Sequence, residues 1–128
     1  MLVTPERKGE RVEKGYKKLI VWQVADELAY QIYVASRAFP KEEIYGITFQ
    51  IRRAAVSIPT NISESSGCQN KGESKRFLNI ALGSLSETEY LLEFCRRLNY
   101  LDETKFNELE SLRQKVGALL WKFYRSYC

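Results

Sequence analysis

The sequence predicts an all-α fold, an antiparallel up-down-up-down four-helix bundle whose second helix is kinked at an internal proline. Three observations carry that expectation. Apolar residues recur at steps of three and four along four stretches of about 20 residues, so each stretch buries one face of a helix about 30 Å long. Short polar turns separate the stretches, and short turns favour antiparallel neighbours. No segment alternates apolar and polar residues between hairpin signals, which argues against a sheet.

Residues 1–18 contain Pro5, Gly9 and Gly15 and no apolar period. They read as a charged, flexible arm, with residues 19–128 forming the bundle. In the first helix, predicted over Leu19–Phe39, the stripe is Trp22, Ala25, Ala29, Ile32, Ser36 and Phe39. Pro40 stops it, because the residue before a proline avoids helical geometry. The second helix runs from about Glu43 to Ser66, with Ile47, Ile51, Ala54, Ile58 and Ile62 facing inward. Phe49 and Val56 fall on a separate apolar patch. Pro59 sits inside this helix, where it removes one backbone bond and predicts a kink or a break. Ser57, Thr60 and Asn61 flank it and are placed to bond the freed backbone groups.

Gly67 is placed to end the second helix and Asn70 to cap the third. The third helix, about Glu73–Asn99, carries two stripes. One contains Phe77, Ile80, Ser84, Thr88, Leu91, Cys95 and Leu98. The other contains Leu78, Leu82, Leu85 and Leu92. A helix this broadly apolar buries more than one face. Asp102 caps the fourth helix, which repeats Leu109, Leu112, Val116, Leu119 and Phe123 and ends in the aromatics Trp121, Tyr124 and Tyr127.

Composition narrows the function classes. The chain has 128 residues, 45% of them hydrophobic and 28% charged, which suits one folded domain. No apolar run reaches the roughly 18 residues of a membrane span, and the charged start does not resemble a signal peptide, so a cytoplasmic, membrane-free protein is expected. The chain has no histidine, and Cys68, Cys95 and Cys128 are widely spaced. A zinc site, a di-iron site and histidine-based acid–base catalysis are therefore not expected, nor is any cofactor. Cys95 lies on an apolar stripe and reads as core rather than as a nucleophile. No phosphate-cradling glycine loop is present.

The formal net charge is +4, and the excess sits mainly in residues 1–18, which hold six basic residues against three acidic ones. Lys14, Lys17 and Lys18 in the arm, Lys71, Lys75 and Arg76 at the start of the third helix, and Arg96 and Arg97 at its end are the candidate phosphate contacts. The pair at the end has a plain structural reading too, since cations suit a helix C-terminus. No aromatic platform of the single-strand-binding kind is evident beside these cations. Counting outward from a turn centred near Gln69 brings Arg52 and Arg53 level with Leu85 and Ser86, beside Glu87 and Glu89. An ion cluster fixing register or joining subunits is the favoured reading there, ahead of a phosphate site. Phe49, Val56, Leu78, Leu82, Gly83 and Leu85 are the candidate oligomer interface, the glycine allowing close approach of another helix.

Gln50–Ser66 reads QIRRAAVSIPTNISESS, Ile80–Leu92 reads IALGSLSETEYLL, the first helix carries VWQVADELAYQIY, and Leu98–Leu101 reads LNYL. Together these resemble the four-helix-bundle family encoded in intervening sequences of bacterial 23S ribosomal RNA genes, over about residues 19–125. The family usually has glycine where this chain has Ser65. The resemblance implies an antiparallel bundle assembled as a homopentamer and an association with ribosomal RNA or its processing. It also implies kinship with the accessory proteins of diversity-generating retroelements, basic pentamers that bind reverse transcriptase and RNA. The expected partners are therefore other copies of the chain and RNA or an RNA-binding protein. The resemblance brings no catalytic residues.

Overall fold

A computed structural model describes residues 15–128, and four helices carry them: α1 (Ile20–Ser36), α2 (Ile47–Ser66), α3 (Lys71–Arg97) and α4 (Glu103–Arg125). Short 3-10 turns, Gly15–Lys18 and Lys41–Glu43, lead into α1 and α2. No strand occurs among the described residues. Most of the predicted arm, including Lys14, lies outside them.

Local chemistry sets the helix ends. The Asn70 side chain accepts the Glu73 N–H at 2.8 Å, and the Asp102 carboxylate accepts the Lys105 N–H at 2.7 Å. Each satisfies a backbone donor that has no partner in the first turn. The end of α3 depends on Asn99, whose φ of 63° places it in the left-handed region. That reversal lets the Tyr100 N–H reach the Cys95 carbonyl and the Asn99 N–H reach the Arg96 carbonyl, both at 2.9 Å. The paired bonds form a Schellman motif, with asparagine in the place glycine usually takes. Gly67 does end α2, but at a φ of −88°, so its conformational freedom is not what stops the helix.

The largest shifts from the predicted boundaries are in α1 and α2, while α3 starts and ends two residues early. α1 ends at Ser36 rather than Phe39, because the N–H groups of Arg37, Ala38 and Phe39 turn back to carbonyls three residues earlier. α2 starts at Ile47, since Lys41–Glu43 form a separate turn.

α2 is continuous through Pro59, so the proline does not divide it. A proline at 59 frees the carbonyl of Ala55. Thr60 Oγ1 bonds the Val56 carbonyl at 2.8 Å, and Asn61 Nδ2 bonds the Ser57 carbonyl at 2.7 Å. The flanking side chains thus reinforce the carbonyls next to the freed one rather than replacing the lost bond. Ser65, where the family has glycine, is an ordinary helical residue, with its hydroxyl on the Ile62 carbonyl at 2.7 Å.

The helices form a four-sided ring in which α1 packs on α2, α2 on α3, α3 on α4 and α4 back on α1. All five predicted inner residues of α2 are buried. In α1 the core positions include Val21 and Leu28, while Trp22 is only half-buried at the rim. The α2–α3 seam is stitched by hydroxyls. Ser74 donates to the Ser65 carbonyl at 2.9 Å beside the turn, and Ser84 donates to the Ser57 hydroxyl at 2.8 Å further along. Between α3 and α4, Arg96 lies 3.7 Å from Glu103, Arg113 lies 3.2 Å from Glu89, and Lys75 lies 5.5 Å from the ring centre of Tyr124.

Candidate nucleic-acid interface

α3 has 27 residues, which spans about 40 Å, so its two basic ends are separate places. The end that opens α3 gathers cations from three elements. Lys71, Lys75 and Arg76 stand in its first turns. Lys75 lies over the Tyr124 ring, which brings in Lys122 and Arg125 from the last turn of α4. Lys17 and Lys18 join them. The turn that holds them packs on both α1 and α2, while Arg52 near the start of α2 bonds Ser36 at the far end of α1. The start of α1 must then lie beside the C-terminal part of α2, next to the α2–α3 turn.

Among the described residues, Glu64 and Glu73 are the side-chain carboxylates in the last turn of α2 and the first turn of α3. Glu73 is already engaged, since Arg76 Nη2 lies 2.9 Å away and its hydrogen bond holds the Glu73 carboxyl below the usual carboxylate range. The Arg76 guanidinium also lies over the Phe77 ring, 4.4 Å from its centre. Lys71, Lys122 and Arg125 are exposed.

The opposite end is mixed in charge. Arg96 stacks on Phe106 at 4.1 Å and faces Glu103, and exposed Arg97 shares a shallow groove with Glu93 and Glu103. Arg97 and the Arg96 pair therefore do not join the cations at the start of α3.

The arginine–glutamate cluster expected between α2 and α3 is not built as predicted. The helices come level close to where the turn count places them, and Arg53 and Glu87 line one groove. Arg52, however, turns towards α1, donating to Ser36 Oγ at 2.8 Å and stacking on Tyr33 at 4.8 Å. Glu89 turns the other way, to Arg113. Arg113 also grips Glu110 at 2.6 Å, and that hydrogen bond lowers the Glu110 carboxyl below its ordinary range. The residues immediately across each seam compete successfully for these charges.

The candidate oligomer residues divide. Leu78, Leu82 and Leu85 are buried in the chain's own core, because α3 has a neighbour on each side. Phe49 and Val56 are 52% and 40% exposed, Ile80 is exposed on α3, and Gly83 faces open space. Phe49 lines a groove of about 430 Å³ with Arg53, Ser57, Ser84 and Glu87.

Sequence reasoning missed part of the basic end. Lys122 and Arg125 are far from Lys71 along the chain, and only the α3–α4 register joins them. It also missed the aromatic company of these cations. Tyr16 packs edge-on against Trp22 at 5.2 Å, and Trp121 against Tyr124 at 5.9 Å. The count outward from a turn, applied at Asn99–Asp102 as it was at Gln69, would have found Lys122, Arg125 and Trp121.

A four-sided helical bundle with one basic end and exposed apolar faces defines the chain as a protein of the helical-bundle class. More narrowly, the chain belongs to the 23S rRNA-intervening sequence protein family, whose model matches residues 17–122. Among solved structures it is similar to a crystal structure of a protein with unknown function from the S23 ribosomal protein family of Bacteroides thetaiotaomicron. The two are 26% identical, with a TM-score of 0.76 over 83% of this chain and 96% of that one. No curated protein matches the chain.

Proposed function

We propose that this chain is a non-catalytic bundle protein of the cytoplasm that assembles with copies of itself as a homopentamer and binds RNA or a ribonucleoprotein. The observation that carries the RNA part is the gathering of Lys17, Lys71, Lys75, Lys122 and Arg125 at one end, against few carboxylates. A surface of this kind attracts a polyanion by releasing its counterions. The family's association with 23S rRNA intervening sequences supports ribosomal RNA as the polyanion. Self-association draws support from Phe49, Val56 and Ile80, which leave an apolar strip on the α2 and α3 faces.

Fluorescence anisotropy with a labelled structured RNA, titrated at several salt concentrations, tests the RNA part. The reading expects affinity that falls steeply as salt rises. Absence of binding at low salt contradicts it. A second reading, an adaptor for a protein such as a reverse transcriptase, draws support from the exposed rings of Tyr30, Tyr33 and Tyr45. It expects a protein partner that stays bound after nuclease treatment.

A further inference from the structure

We infer that the basic end of the bundle is a stacking site for the unpaired bases of single-stranded RNA, with Trp121 as its platform. This rests on the RNA-binding reading and narrows it. The ring of Trp121 is 47% exposed although it stands on a helix that buries most of its large apolar residues. It stands edge-to-face with Tyr124 at 5.9 Å, and Lys75 lies over the Tyr124 ring at 5.5 Å. Ring, ring and cation are therefore linked in turn, with the exposed Lys122 and Arg125 in the same last turns of α4.

The space beside Trp121 suits a flat guest. A groove of about 340 Å³ runs between α3 and α4 from Trp121 to Arg113. It exists because Gly117 and Ala118 are small. A Cβ on Gly117 would already stand 3.4 Å from Leu85 Cδ2. The far end of the groove is closed by the Glu89–Arg113–Glu110 ion pairs, so its polar wall is occupied and its open, aromatic end is free.

These features separate strands from duplexes. A duplex hides its base faces and is held through phosphates and 2′-hydroxyls, for which an exposed ring offers nothing. Unpaired bases expose their faces and stack on aromatic side chains, while cations beside the ring hold the backbone. The opposite end also has an aromatic pair, exposed Tyr90 stacked on Phe94 at 5.9 Å, but Glu93 and Glu103 line the same groove and Arg96 is committed to Phe106 and Glu103, so a strand's phosphates meet mixed charge there.

The test uses the full chain, a labelled single-stranded oligoribonucleotide and a hairpin duplex of the same base composition. Tighter binding to the strand is expected, with quenching of tryptophan fluorescence. Trp121→Ala should weaken strand binding by on the order of tenfold and leave duplex binding nearly unchanged. Trp121→Phe, which keeps a ring, should retain most of the affinity, and circular dichroism confirms that each variant is folded. Equal binding of strand and duplex, unchanged in Trp121→Ala, overturns the inference while leaving RNA binding standing. Loss of the assembly's mass in Trp121→Ala places the ring at a subunit contact and overturns it as well. If the parent protein binds neither RNA at low salt, the RNA-binding reading itself fails.

Discussion

Cys95 shows how burial alone sets the chemistry of a side chain. Its thiol is fully buried in the core, and desolvation pushes its pKa up to about 12, with the nearby Glu43 carboxylate adding to the shift. The thiolate is the reactive form, so this cysteine is inert. A disulfide reagent at neutral pH should modify half-buried Cys68 and exposed Cys128 and reach Cys95 only on unfolding. The sign of the pH effect follows from the same shift. The folded state holds the protonated thiol, whereas the unfolded chain ionises near its ordinary value of 9.0. Stability is therefore intact below that value and is lost as pH rises towards about 12. Tyr100, raised chiefly by its hydrogen bond to Glu43, acts in the same direction. Melting temperatures between pH 8 and 11 should fall less steeply in Cys95→Ala than in the parent. An identical slope would contradict the assignment.

At the scale of the element, the α2–α3 hairpin is where sequence and structure agree most closely. The isoleucine stripe of α2, the Asn70 cap and the nearness of Arg53 to Glu87 are all legible from spacing. The first two are local, and the third needs only a short turn of known centre. The Ser74–Ser65 bond is less legible, because a serine in the first turn of a helix looks like ordinary surface. Both residues are buried, so Ser74→Ala removes a satisfied bond at the turn. We expect a loss of about 1 kcal/mol, measured by urea unfolding, with the helical content unchanged. No loss would show that the Ser65 carbonyl is satisfied by the Cys68 N–H alone, at 3.4 Å.

Other features could not be read from the chain because they depend on who stands next to whom. The second stripe of α3 is apolar in sequence whether it meets α4 or another subunit. The four-sided ring assigns Leu78, Leu82 and Leu85 to the chain's own core and leaves Phe49 and Val56 as the exposed pair. Size and spacing place Trp22 on the α1 stripe. Its position in the first turn puts the ring at the rim against Tyr16, and Val21 and Leu28 fill the interior instead.

For the whole molecule, the central feature is separation of roles along and around one bundle. Lys17 and Lys18 and the cations that open α3 and close α4 collect at one end, while Phe49, Val56, Ile80 and Gly83 are exposed along α2 and α3. A bundle that assembles through its flank keeps its end free, and each added copy repeats the basic surface beside the last. Repetition of that kind raises affinity for a long polyanion without any new contact type. Self-association is thus the claim on which the functional account turns. Light scattering on nuclease-treated protein measures it most directly. The account predicts a mass about five times that of the 14.9 kDa chain, collapsing towards one chain in a Phe49→Glu, Val56→Glu double variant. A parent protein that runs as a monomer at high concentration would contradict it.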